Sequence, residues 1–442
     1  MVDSHVLRLS LLAVGVLAVG MLTVEAAVSP PAAVAAPAGH DWLVSADTAA
    51  RTVTVTDTST GRRTGGLTDV QLGTHAGVVQ LGGGRIAFMD ESRPRLDVVA
   101  ITASGRPELT ASYPIPTTGV AWERAGWLST DPSHRFVVVG SDFDGSTTQQ
   151  ATVVDLRKDR SATAHLTTSE VTLATTGATG TEEMETFLTG SPLRLTVTAG
   201  GHLDSYSVAD ILGGDGTPKR IATTPFGAYP HGPIVDRNGT VIGSTLHDGI
   251  ETVPVAKTGF GRATSEAYPE PAGQSYRPRM APDGHTAVGT RTASAPGDPA
   301  VLTSSSTGRT RVASVGLEPG TPTRAVVAPG FAAAVVTAAG VDTLDLVARD
   351  SHGLYAGKVT RLVLPALGQA PGTAPAPRFL AATDDGSELF LSRAGTGSIL
   401  EIDVRDGIPS VRGTIAADGP LADGGYLTTV DSAQRPYDLI GR

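Results

Sequence analysis

A short unit of strand, tight turn, strand, polar loop and strand recurs along this chain, and its clearest copy is residues 229–255, YPHGPIVDRNGTVIGSTLHDGIETVPV. An apolar strand (Gly232–Val235) enters an Asp-Arg-Asn-Gly turn. A second strand (Thr240–Ser244) follows, then a polar loop and a third strand (Ile250–Val255). Asn238-Gly239 between two apolar runs predicts a hairpin with a type I′ turn, in which both central residues need positive φ. Further copies place their second strands at Leu43, Ile86, Phe136, Leu193, Val241, Ala287, Ala333 and Leu389, which are 43 to 57 residues apart. Short Val/Ile/Leu/Thr runs separated by Gly, Pro and Asp-Gly are an all-β pattern.

Repeats of this length match four-stranded blades of about 40–50 residues with loop insertions, the pattern of a β-propeller. A β-helix rung is far shorter, and stacked sandwiches show no such sustained period. Eight units give a single all-β propeller of eight blades, or seven if the irregular unit at Phe187–Ala209 is an insertion. The first unit lacks an innermost strand before Trp42. The C-terminal run Arg435–Ile440 is expected to supply it and close the ring, which removes open sheet edges. The segments 162–183 and 368–377 read as long irregular loops.

Residues 1–26 have the form of a signal peptide, with Arg8 ahead of an apolar run and Val24-Glu25-Ala26 as a cleavage signal. A second possible cleavage site follows Ala33-Val34-Ala35. The sixteen-residue run Leu9–Val24 is short for a span needing about 20 residues, so no membrane span is expected after cleavage. Residues 27–40 read as a Pro/Ala-rich tether and 41–442 as the propeller domain, secreted or otherwise extracytoplasmic. The chain carries 34 Lys+Arg against 44 Asp+Glu, a formal charge of −10, so it has no overall attraction for nucleic acid or anionic lipid. With no cysteine, disulfides, thiolate metal ligands and cysteine nucleophiles are excluded.

Three stretches carry a family resemblance: LVSADTAARTVTVTDTSTG near the mature start, TPFGAYPHGPIVDRNGTVIGS, and FLAATDDGSELFLSRAGTGSILEIDV followed by RPYDLIG. In these the chain resembles the secreted bacterial β-propellers of the periplasmic zinc metallochaperone family, that of AztD. The resemblance spans roughly residues 42–441, and its most telling part is a His-Gly pair (His231-Gly232) leading into an inner strand. It implies a propeller that binds zinc and delivers it to a metal-transport binding protein. The family's His-rich loop is missing, and the equivalent stretch here reads Gln274-Ser275-Tyr276-Arg277-Pro278.

Propeller ligands gather at the central channel, where inner strands begin. Counting back from each second strand gives His75, Glu123, Glu185 and His231 on four blades, and Arg277, Arg324, Arg378 and Arg435 on the other four. His75, His231 and Glu185 form a two-imidazole, one-carboxylate set that suits zinc, with His247 and Asp248 as further ligands or orienting groups. The alternative is that each histidine serves a local backbone group. The four arginines suit a carboxylate or phosphate ligand, since guanidinium binds such groups bidentately; ordinary salt bridges are the alternative. The Asp-Gly pairs at 283, 385 and 406 read as turn formers, and Asp142–Gly145 lacks the glutamate of a calcium loop. No GxSxG, HExxH or P-loop is present. The expectation is thus a monomeric, non-enzymatic propeller binding a ligand, zinc above all, at its channel. A scaffold for a protein or cell-wall polymer is the second reading, with another cell-envelope protein as partner, and a propeller lyase or lactonase the third.

Overall fold

The computed structural model describes residues 40–431 apart from 73–76, 117–124, 142–147, 168–184, 200, 228–231, 245–248, 270–277, 296, 308–310, 339, 366–377, 394 and 422–425. Eight antiparallel sheets follow one another, each an up-and-down meander of four principal strands, in an eight-bladed β-propeller. The irregular fourth unit is a blade in its own right (Thr186–Thr189, Arg194–Ala199, His202–Ser207, Ala222–Pro225). A single helical turn, Val208–Leu212, interrupts it after the third strand. Ser207 caps that turn by accepting from the Asp210 N–H, and Val208, Ile211 and Leu212 are buried beneath it.

The second and third strands of most blades are buried on both faces, as in Phe331–Ala338 (FAAAVVTA) and Glu388–Arg393. Each blade is sandwiched between two neighbours, which explains the near-continuous runs of small and apolar residues. The outermost strands, such as Arg62–Thr68 and Ser410–Ala416, are largely exposed. The apolar clusters lie between blades. One joins blades 1 and 2 through Trp42, Val55, Phe88 and Val99, another joins blades 7 and 8 through Val335, Leu346, Leu389 and Ile402, and a third joins blades 8 and 1 through Leu43, Phe390 and Leu427. Burial around the ring is the main cohesive term.

The ring closes where the two ends of the chain meet. Tyr426–Asp431 is the inner strand of blade 1 and pairs antiparallel with Asp41–Asp47, from Asp41↔Asp431 to Ala46↔Tyr426. Closure by a C-terminal strand is as expected, but the strand lies several residues ahead of 435–440, which fall outside the described residues. Two further expectations change. Residues 162–167, expected as loop, belong to the outer strand of blade 3, Arg160–Thr167, and the rest of that segment and 368–377 lie outside the described residues. At 236–240 only Gly239 takes positive φ (81°), so the turn is not type I′. Gly239 N–H donates to the Asp236 carbonyl, and the Asp236 carboxylate accepts from the N–H groups of Asn238 (2.9 Å) and Thr240 (2.8 Å). The aspartate side chain thus supplies the acceptor that fixes the turn.

The candidate channel site

The same inner hairpin turn recurs around the ring, which allows positions to be aligned blade by blade. Asp131, Asp236, Ala281 and Thr383 each donate their N–H across the hairpin, to Phe136, Thr240, Thr286 and Glu388. Each also accepts from the residue three further on: His134, Gly239, Gly284 and Gly386, all at positive φ. Blade 7 has a shorter form, Ala328 N–H to the Phe331 carbonyl. The residue after this anchor is Pro132, Arg237, Pro282, Pro329 and, in blade 8, Asp384. Blade 8 therefore carries an extra carboxylate where three other blades have proline. The turn-forming aspartate is its neighbour Asp385, which accepts from Ser387 N–H (2.9 Å) and the Thr383 hydroxyl (2.8 Å).

Asp384 does not stand alone. Asp41 begins the first strand and Asp431 ends the last, directly opposite each other in register. All three residues offer a carboxylate oxygen within 4.8 Å of the others. Asp431 is buried; Asp41 and Asp384 are half-buried. The Asp384 N–H donates to Asp41 Oδ2 at 3.2 Å, while Asp41 Oδ1 is buried with no hydrogen-bond partner among the described residues. Burial pushes the Asp41 carboxyl up to about 7, and the charges of Asp384 and Asp431 add to the effect. Burial likewise pushes Asp384 up to about 7, helped by the charges of Asp431 and Asp385. Like charges facing each other across a strand pair are destabilising, and desolvation without a counter-charge raises a carboxyl pKa. No hairpin joins the strands that carry Asp41 and Asp431, so the trio sits at the seam of the ring.

Asp384 also lines a cavity of about 170 Å³ within the central channel. Its wall comes from the inner strands of blades 6, 7, 8, 1 and 2, including Arg279, Met280, Val326, Leu380, Tyr426, Thr428, Val78 and Gln80. Gln80 is fixed across the seam, its amide donating to Thr428 Oγ1 (3.0 Å) and to the Thr429 carbonyl (2.6 Å). A concave site with a few convergent polar groups and perturbed carboxyls is where a small ligand is expected. Three carboxylates offer only hard oxygen donors, a set that suits calcium, magnesium or manganese better than zinc, whose usual sets include imidazole or thiolate.

Of the residues singled out in the sequence, His75, His231, His247, Asp248, Arg277 and Arg435 lie outside the described residues, as does Glu123. Glu185 is fully buried just ahead of the blade 4 inner strand, exchanging backbone and hydroxyl bonds with Thr198. Arg324 is half-buried between the two short inner segments of blade 7, Thr321–Pro322 and Val326–Val327. Arg378 begins the blade 8 inner strand. Its Nε donates to both oxygens of buried Asp342 (3.1 and 2.9 Å), and Arg393 stands 3.8 Å from the same carboxylate. These three residues occupy blades 4, 7 and 8, at or near the starts of inner strands. The aspartate trio lies instead where inner strands end. Its one sequence signal is Asp384-Asp385-Gly386 in place of Pro282-Asp283-Gly284.

Neither a protein-family model nor a curated protein sequence matches this chain. Among solved structures, it is similar to AztD from Citrobacter koseri (14% identity, TM-score 0.60, 90% of this chain and 100% of that one). The apo form of that protein gives 12% identity and a TM-score of 0.57 with the same coverage. Dihydro-heme d1 dehydrogenase NirN in complex with DHE gives 12% identity and a TM-score of 0.56 over 88% of this chain and 75% of that one. At such identities the likeness is one of fold, the β-propeller.

Proposed function

We propose that this chain is a non-enzymatic, ligand-binding propeller whose channel cavity takes a small, positively charged ligand against Asp384, Asp41 and Asp431. The observation that carries this reading is that Asp384, which lines the cavity, is one of three mutually repelling carboxylates clustered at the seam. Two of them are pushed up to about 7, so they gain most from a cation that replaces their protons. A divalent metal is the simplest such ligand, and zinc, which the sequence resemblance implies, is the named case. The oxygen donors favour calcium or manganese at the trio. Zinc would draw on the set that the sequence offers, His75, His231, Glu185, His247 and Asp248. Export by the leader and delivery to a metal-transport or other cell-envelope protein form the setting this reading implies.

The test is calorimetric titration of the metal-free protein with calcium, manganese, zinc and methylammonium in turn, repeated on Asp384→Asn and His231→Ala. Saturable binding of a cation lost in Asp384→Asn supports the seam site, and zinc binding lost only in His231→Ala moves the metal to the histidine set. Failure of all four cations to bind refutes the reading.

A further inference from the structure

The cavity has more to offer than a bare cation needs. We propose that its ligand is a small zwitterion of the amino-acid kind, with its ammonium group held at Asp384 and its carboxylate at Arg279. This inference rests on the channel reading above and narrows the class of ligand.

Two ionisable side chains of opposite sign line the cavity, Asp384 from blade 8 and Arg279 from blade 6. The turn alignment sets their relative heights. Ala281 and Thr383 hold the same position in their hairpins, so Arg279 stands two residues before that level and Asp384 one beyond it. Both line the one cavity, so a small molecule inside it can meet both. An ammonium and a carboxylate in one small molecule match such a pair of opposite charges; a metal ion alone would engage only the acidic end.

The neutral polar groups favour an ammonium at the Asp384 side. Both donor contacts of the Gln80 amide are engaged within the wall, and the Thr429 hydroxyl donates to the Ala382 carbonyl, so what these groups still offer is acceptors. Tyr426 adds an aromatic wall, a surface to which cations are attracted. Val326 and Leu380 give a carbon skeleton apolar contact between the charged ends. A cavity of 170 Å³ is comparable to the roughly 150 Å³ that accepts a benzene molecule, so a ligand of about six to ten non-hydrogen atoms fits inside.

The experiment titrates the metal-free protein with α- and ω-amino acids, the matching amines and the matching carboxylates, each with and without calcium. Amino acids should bind at least about tenfold more tightly than the amine or the carboxylate alone, since each lost end forfeits a charge-assisted hydrogen bond. Arg279→Gln should abolish the preference over amines, and Asp384→Asn the preference over carboxylates; thermal melts of both variants check folding. The wild-type panel decides the matter even if a variant fails to fold. Equal binding of amines and amino acids, or of calcium alone with no amino-acid effect, overturns the zwitterion and leaves the cation reading standing. Carboxylate binding that requires calcium overturns it in favour of a metal–carboxylate complex. No binding by any compound or by calcium overturns both.

Discussion

Replacing Asp384 by asparagine should make the metal-free protein more stable at alkaline pH, the reverse of what most changes to partly buried residues do. In the folded chain the Asp384 carboxyl is raised from 3.8 to about 7. Below about pH 4 both folded and unfolded forms are protonated, and the group has no effect on stability. As pH rises from about 4 to about 7 the unfolded chain releases its proton first, so stability falls, and above about 7 the full penalty is present. A shift of about three units at about 1.4 kcal/mol each sets an upper limit near 4 kcal/mol. The repulsion is shared with Asp41, and the half-buried group relaxes towards solvent, which brings the expected gain to about 2 kcal/mol. The new amide also offers donors close to Asp41 Oδ1, which has no hydrogen-bond partner among the described residues. With an unfolding entropy of about 2.1 cal/mol/K per residue over some 400 residues, the gain corresponds to about 2–3 °C in Tm. Thermal melts with a chelator, at about pH 5 and about pH 8, should show a clearly larger difference at the higher pH. Added calcium should cancel or reverse it by stabilising the wild type alone. A variant less stable than wild type at high pH under chelator, or a difference independent of pH, would refute the account of the trio.

Three further outcomes test the architecture. Asp342→Asn should cost about 3–5 kcal/mol in denaturant melts, because it leaves the buried guanidinium of Arg378 and the neighbouring Arg393 without their shared carboxylate. Gly105→Ala should lower stability by at least about 2 kcal/mol, since φ is +77° there and a Cβ would lie 2.3 Å from Trp42 Cζ3 and 2.4 Å from Thr64 Oγ1 at the seam of blades 1 and 2. Removing residues 426–442 strips the inner strand of blade 1 and bares the edge of Asp41–Asp47; light scattering should find aggregate, and a stable folded monomer would show that closure is dispensable.

What the sequence determined by itself was local. Blade number and second-strand positions were legible because each blade is built from hairpins whose turn chemistry lies within a few residues: Asp283 and Asp385 accept from backbone N–H groups two residues on, and Gly284 and Gly386 take the positive φ. Even so, the turn at Asn238-Gly239 was of another type, because the Asp236 carboxylate, rather than a second residue at positive φ, holds it. The tertiary structure alone decided the seam. Asp384 and Asp41 are bonded at a separation of 343 positions in the chain, and Asp41 meets Asp431 only because the two ends share a sheet. Which strand closes the ring depends on pairing and packing summed over blades 8, 1 and 2, and no local propensity encodes it. The raised carboxyls follow from that closure, since burial and mutual repulsion arise only when three distant, individually ordinary aspartates are brought to one end of the channel.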